Sequence, residues 1–364
     1  MSILLFIIIL CVLIIAHELG HFLAAKKAGI RVDEFGIGFP PRLLKKKIGE
    51  TTYSLNAFPI GGFVKIFGEN PDEESMHGKD SKRSFVHKSK LIQAWVVSAG
   101  IIFNLILAYI LISIGFMVGL PYSADDAKYG ARVQNAELSI NYVRADSPAE
   151  TAGLKAGDTI LALYGEGDAL ETPRTKTTQE FIASHTEITL ALMRDKQIQT
   201  VIVRPEVTPA LDRPTVGISM GMTGTLTLPV HQALYAGLTT TTSLTWATIT
   251  GLFDFFKNIF TGQANFSEVS GPVGIVKMVG DASTLGLVYL ISLTALISIN
   301  LAIINILPFP ALDGGRLLFI LIEAIKGSPI KPVVANSVNG IGFILLILLM
   351  VIVTYHDIAK LITG

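Results

Sequence analysis

The sequence predicts a polytopic α-helical membrane protein with about four transmembrane helices, a membrane-associated β-loop and an α+β domain inserted on the outer side. Three observations predict it. Half of the 364 residues are hydrophobic and only 16% are charged, against about 25% in a typical soluble domain. Four stretches, roughly 1–25, 92–120, 285–308 and 335–355, are long and apolar enough to cross a bilayer. The interval between the second and third is more polar and carries strand-like runs bounded by glycine. Lys plus Arg equals Asp plus Glu at 29 each, so no basic footprint for nucleic acid is present. Cys11 is the only cysteine, which excludes an internal disulfide.

The first stretch begins with sixteen residues almost free of polar side chains. No positive n-region or small-residue cleavage site accompanies it, so it is expected to be a retained membrane helix. It continues through His17-Glu18-Leu19-Gly20-His21. Two histidines four apart share one helical face and can ligate one zinc ion, and the adjacent glutamate is placed as a base toward water at the metal. Ionisable residues in a membrane helix cost about 2.5–3.5 kcal/mol each on insertion scales, and metal coordination compensates them. The chemistry implied is metal-assisted hydrolysis at membrane depth, with the peptide bond of another membrane protein as target.

Basic residues cluster after the first stretch (Lys26, Lys27, Arg31, Arg42, Lys45, Lys46, Lys47) and before the second (Lys82, Arg83, Lys88, Lys90). Arg316, Lys326 and Lys331 occupy the turn between the third and fourth. These two connections are therefore expected in the cytoplasm, with both chain ends and residues 121–284 outside. Within the first connection, Gly36, Gly38, Pro40 and Pro41 interrupt the chain, and 51–55 and 62–66 read as short strands. Such a β-loop beside a membrane helix must be covered by protein or line a cavity. Its edge can receive an extended substrate strand. The charged segment 69–90 is expected to be a mobile, solvated loop.

In the insert, Ser147-Pro148-Ala149-Glu150-Thr151-Ala152-Gly153-Leu154-Lys155-Ala156-Gly157-Asp158 reads as a capped short helix and glycine turn between strands. A helix near 178–184 and strands near 187–193 and 198–204 complete a domain at 122–207. This run resembles the PDZ domain of bacterial proteases, which implies capture of peptide C-termini by strand addition. Residues 208–284 are expected to be a linker with interfacial amphipathic helices. In it the Thr-rich stretch 228–262, with Trp246, Phe253, Phe255, Phe256 and Phe260, reads as one or two helices at the outer interface, a fifth span being the alternative. Ser270-Gly271-Pro272-Val273-Gly274 reads as a rigid turn.

A catalytic zinc takes three protein ligands and keeps one position open. The third candidate is Asp313, at the cytoplasmic end of the third stretch, where His17 and His21 also lie. Pro308 and Pro310 interrupt that helix, and Gly314-Gly315 allow close backbone approach. Asn300 and Asn305 are costly in a membrane helix unless satisfied. Either can hold substrate backbone, steady an oxyanion or bond a neighbouring helix. Asn305 leans toward the site, Asn300 toward neither role, and Asn104 toward packing. His77, His87, His185, His231 and His356 lack partners at ligand spacing and are expected at the surface.

Taken together, His17-Glu18-x-x-His21, Asn305-x-x-Pro308-x-x-x-Leu312-Asp313-Gly314 and Gly61-Gly62-Phe63-Val64-Lys65 resemble the site-2 proteases. Within them the chain looks like the bacterial regulator of sigma-E protease group, with an N-terminal membrane core at 1–121 and a C-terminal one at 285–364. The resemblance implies one Zn2+ per chain held by His17, His21 and Asp313, with Glu18 as base. It also implies a β-loop, including Gly62, Phe63, Val64 and Lys65, that holds unwound substrate, with Asn305 near the scissile bond and Asn300 and Asn104 as possible supports. The implied partners are the bilayer and pre-trimmed single-pass proteins, namely anti-sigma factors and remnant signal peptides, in the bacterial inner membrane. The best-known members carry two tandem PDZ domains, and 208–228 is too short for a second. A peptide-binding scaffold without activity is the main alternative, and the presence of both Glu18 and Asp313 speaks against it.

Overall fold

Helix α1 (Ser2–Lys27) is 26 residues of nearly unbroken apolar sequence. At 1.5 Å per residue it extends about 39 Å, enough to cross a hydrocarbon core of about 30 Å. The structure, a computed structural model, describes residues 1–144, 146–194, 197–208, 213–262 and 270–363. Only Leu13, Gly20, Ala24 and Ala25 of α1 are buried against protein. Its remaining apolar surface is suited to lipid.

Strands β1 (Val32–Ile48) and β2 (Thr51–Ile66) form an antiparallel hairpin. Its turn passes through Gly49 at φ 62°, a conformation that favours glycine. Irregularities in the register let residues 34–37 pair with both 52–55 and 62–65, so the hairpin folds over itself. Glu34 is buried within it, and its carboxylate accepts from Ser54 Oγ at 2.7 Å and Arg42 Nη2 at 2.6 Å. A buried charge is tolerated when it is paired in this way.

The next segment, expected as a mobile, solvated loop, is largely exposed and carries short helices of its own. It contains α2 (Glu73–His77), started by a reciprocal capping box between Asp72 and Ser75. Arg31 ties the segment down through Asp80 at 2.8 Å and Glu74 at 3.1 Å, with its guanidinium 3.5 Å above the Phe67 ring. Phe85 is buried among Ala24, Ile30, Val32 and Val96. Several of its charges are thus paired while remaining exposed to solvent. Glu50 is a further tie: hydrogen bonds from Lys26 and Arg83 hold its carboxyl below the usual carboxylate range. Helix α3 (Lys90–Val118) follows.

The chain divides into two compact units, Met1–Gly115 with His231–Gly364, and Phe116–Val230. In the second unit come β3 (Leu120–Ser123), β4 (Gln134–Val143), α4 (Pro148–Thr151), β5 (Thr159–Tyr164), β6 (Ala169–Leu170) and α5 (Thr175–Ser184). They are followed by β7 (Ile188–Arg194), β8 (Gln197–Val203), β9 (Glu206–Thr208), β10 (Arg213–Thr215) and β11 (Ile218–Leu226). Strands run β3-β11-β4-β5-β7-β8 across one sheet, with β6 on β5, and β9 pairs with β10 separately. Period-2 alternation turns Ile188, Leu190 and Leu192 of β7 into a core with Leu138, Ile160 and Leu163. Buried Asp158 is held by Arg194 at 2.6 Å. Strand β11 comes from the stretch read as linker. Its alternation is diluted by Gly221 and Gly224, which left no strand signal in the sequence.

The first unit resumes with α6 (Val230–Phe260), a single 31-residue helix. The rest of that expected linker lies partly outside the described residues, at 209–212 and 263–269. Then come α7 (Pro272–Leu285), α8 (Leu287–Ile306), α9 (Asp313–Lys326) and α10 (Pro332–Thr363). Among the described residues four helices are long and apolar enough to cross a membrane: α1, α3, α8 and α10 as far as Ala359. Two expectations are corrected here. The segment after Gly271 is the first turn of a helix, with Pro272 at its start. The connection between α8 and α10 is not a turn but amphipathic α9, closed by Gly327 at φ 76°.

Asp357 of α10 completes the start of α7, its two carboxylate oxygens accepting the Gly271 and Gly274 amides at 3.2 and 2.8 Å. It is a helix cap supplied from another helix. Loss of a capping side chain costs about 0.5–2 kcal/mol. Asp357→Ala is therefore expected to lower the thermal midpoint of the purified protein, while Asp357→Asn, which keeps one acceptor, recovers part of the loss.

Candidate active site

Small residues let two membrane helices meet closely beside the histidines. A Cβ on Gly20 of α1 would run into the backbone carbonyl of Ala99 on α3. Interfaces between membrane helices use small residues for this purpose. The approach brings Val96 O within 2.9 Å of His21 Nδ1. A carbonyl can only accept, so Nδ1 carries the proton, and in the neutral ring Nε2 presents a lone pair.

Asp313 arrives from the other side as the first residue of α9 rather than the last of α8. The chain turns there through Pro308, Pro310 and Ala311, the last at φ 71°. Gly314 and Gly315 rest on the backbone of residues 306–310, where any Cβ would collide with carbonyl oxygens. One turn further, Arg316 pairs with the Glu69 carboxylate and donates to Glu69 O at 2.9 Å. That pair fixes α9 to the end of the β-hairpin.

The result is a convergence of three ligand atoms. Asp313 Oδ2 lies 3.1 Å from His17 Nε2 and 3.3 Å from His21 Nε2, and the two Nε2 atoms are 3.2 Å apart. A tetrahedral ion with bonds of about 2.0 Å has ligand atoms about 3.3 Å apart. Asp313 Oδ2 is buried and accepts no hydrogen bond. When the proton of His17, like that of His21, sits on Nδ1, three acceptors face one another, an arrangement that repels unless a cation sits among them. Gly100 of α3 leaves the same space open, since a Cβ there would press on both imidazole rings. The residues present fit one zinc ion.

Glu18 lies beside His17, and a Cβ on Gly62 would stand 3.4 Å from Glu18 Cγ and 3.0 Å from Ile14 Cγ2. The stretch with Gly62, Phe63, Val64 and Lys65 therefore passes next to the candidate base, Lys65 being exposed. Asn305 is half-buried in the last turn of α8. Asn300 is drawn to a neighbouring helix, where its Oδ1 accepts from Thr248 of α6 at 3.4 Å. Asn104, read as a packing residue and as a support of the site, makes both kinds of contact, its carbonyl accepting from Ser298 Oγ at 2.7 Å and its Nδ2 lying 3.2 Å from His17 Nδ1. His77, His87 and His231 are exposed. His185 departs from the surface expectation, its ring stacking on Phe181 at 4.1 Å. Val96 and Gly100 escaped the sequence reading because they act through backbone. The signal that could have found them is the small-residue run Ser98-Ala99-Gly100 in an otherwise bulky helix.

A His-His-carboxylate set with a neighbouring glutamate, built into a unit with four membrane-length helices, defines a membrane-embedded metallohydrolase. The chain belongs to peptidase family M50, whose pattern matches residues 5–349. It is 37% identical over 352 residues to a Clostridium perfringens protein provisionally named a zinc metalloprotease, covering 95% of each chain. It is also 32% identical to the Bacillus subtilis regulator of sigma-W protease RasP, covering 98% of each chain. The zinc metalloprotease RasP of Bacillus licheniformis is equally similar, at 32% over 98% of each. The chain is thus a zinc metalloprotease of the site-2 type, with Zn2+ as cofactor. Its membrane helices and these relatives support a multi-pass bacterial membrane protein acting in regulated intramembrane proteolysis.

Proposed function

We propose that His17, His21 and Asp313 hold the zinc, that Glu18 is the base, and that the enzyme cuts single-pass membrane proteins already trimmed on their outer side. The observation that carries this reading is the convergence of the three ligand atoms within 4.8 Å of one another, with Glu18 next in sequence to His17. Zinc, when bound, lowers the pKa of water to about 7 and polarises the scissile carbonyl. Glu18 takes the proton of the attacking water and returns it to the leaving amine. A substrate helix hides its carbonyls in its own hydrogen bonds, so it must unwind to be cut. The edge carrying Gly62, Phe63, Val64 and Lys65 receives it as an added strand. Asn305 supplies amide hydrogens to the developing oxyanion.

The distribution of basic residues supports an active site toward the cytoplasm and the unit Phe116–Val230 on the outer side. That unit is read as a single PDZ domain, centred on 122–207, that takes peptide C-termini and acts as a size filter or a sensor of trimmed ends. Similarity to a regulator of sigma-W protease supports membrane-bound anti-sigma factors as substrates, with remnant signal peptides as a second class. The test is cleavage of a tagged single-pass protein, with and without its outer domain, by the purified full-length enzyme in detergent. Trimmed substrate is expected to be cut at least tenfold faster, with a strong zinc chelator stopping the reaction and added zinc restoring it. Equal rates would refute the requirement for trimming, and chelator-resistant cleavage would refute the metal site.

A further inference from the structure

Asn104 is wholly buried in α3, and two of its contacts reach other helices. Its backbone carbonyl accepts from Ser298 Oγ of α8 at 2.7 Å, another fully buried group. Its side-chain amide meets His17 Nδ1 of α1 at 3.2 Å. The amide oxygen, as oriented, is buried with no hydrogen-bond partner. Amide nitrogen and oxygen exchange places on a half-turn that leaves the side chain's shape unchanged. If His17 Nε2 faces a metal, the ring's proton must sit on Nδ1, and a donor cannot stabilise a donor. The half-turn places Asn104 Oδ1 on that proton, and the amide nitrogen takes the buried position the oxygen held, so the requirement for an acceptor at His17 decides the orientation.

We propose that Asn104 is a positioning residue of the metal centre: its amide oxygen accepts the His17 Nδ1 proton and thereby fixes the ring's tautomer and plane. The proposal rests on the assignment of His17 as a ligand. It completes a symmetrical arrangement, in which Val96 O of α3 orients His21 and Asn104 of α3 orients His17. One helix then presents both outer partners of the histidines, and the contact with Ser298 holds that helix to α8, whose end leads to Asp313. Outer partners of metal-bound histidines are worth about 10–100-fold in metal affinity.

The experiment measures zinc affinity of the full-length protein in detergent by chelator competition, together with the visible spectrum of the cobalt-substituted form. Wild type, Asn104→Leu, Asn104→Asp and His17→Ala are compared. Asn104→Leu, which removes the acceptor, is expected to weaken metal binding about 10–100-fold and shift the cobalt spectrum. Asn104→Asp offers only acceptor oxygens and is expected to keep affinity and spectrum near wild type. Should Asn104→Leu fail to fold, Asn104→Asp decides, because an affinity as weak as that of a lost ligand would overturn the proposal. Wild-type affinity in Asn104→Leu would overturn it too. Undiminished metal binding by His17→Ala would instead bring down the underlying ligand assignment, and this proposal with it.

Discussion

Asp313→Ala is expected to leave the protein without zinc and without activity. In the proposed site Asp313 is the one ligand that does not come from α1, and its Oδ2 closes the triangle with the two histidine nitrogens. Without it, two histidines remain on one face of a helix, and nothing opposite them holds the ion. The lost charge stabilisation amounts to several kcal/mol, so cleavage should fall by at least about 10³-fold. The fold should survive, because α9 is anchored independently by Arg316 to Glu69 and by Gly314 and Gly315 against the preceding turn. Metal content by mass spectrometry and a melting curve check both halves of the expectation. A variant with full zinc would remove Asp313 from the ligand set.

Gly100→Val is expected to be nearly as damaging without touching a charged group. Even a bare Cβ at this position would stand 2.7 Å from His21 Cε1 and 2.8 Å from His17 Cε1, well inside van der Waals contact. A branched side chain must turn both rings away from Asp313 or push α3 off α1. Overpacking of this kind costs about 1–3 kcal/mol or more, and here the strain falls on the ligand geometry itself. Zinc affinity should drop by about two orders of magnitude, following the sensitivity of metal sites to ring orientation. Gly340→Val is the matched control, since that glycine of α10 has open space where its Cβ would stand. It should bind zinc as the wild type does.

What was legible in the sequence follows from the range of the forces involved. Three of the membrane helices were read to within about two residues at each end, because lipid imposes a length and an apolarity on every span, as α3 at Lys90–Val118 against the expected 92–120 shows. Helix α10, by contrast, begins before and runs past the expected 335–355. His17, Glu18 and His21 could be grouped because helical spacing alone places them. Asp313 is singled out by its proline and glycine setting, although α9, which it starts, reads as a turn in the sequence. That helix could have been recognised from the Lys326-Gly327 stop signal. The ordering of the segment after the β-hairpin was missed because it depends on Arg31 meeting Asp80 and Glu74 across nearly fifty residues. The same is true of Asp357, whose backbone partners lie more than eighty residues away. Contacts between distant residues leave no periodicity to read.

The central claim is that Glu18 serves as base at a zinc held by its neighbours. Its most direct test is cleavage of a trimmed single-pass substrate by wild type and Glu18→Gln, with zinc measured in both. The expected result is about one zinc in each protein and a rate lower by about 10²–10⁴-fold in the variant, the range for loss of a general base. Equal cleavage by both proteins would contradict the account.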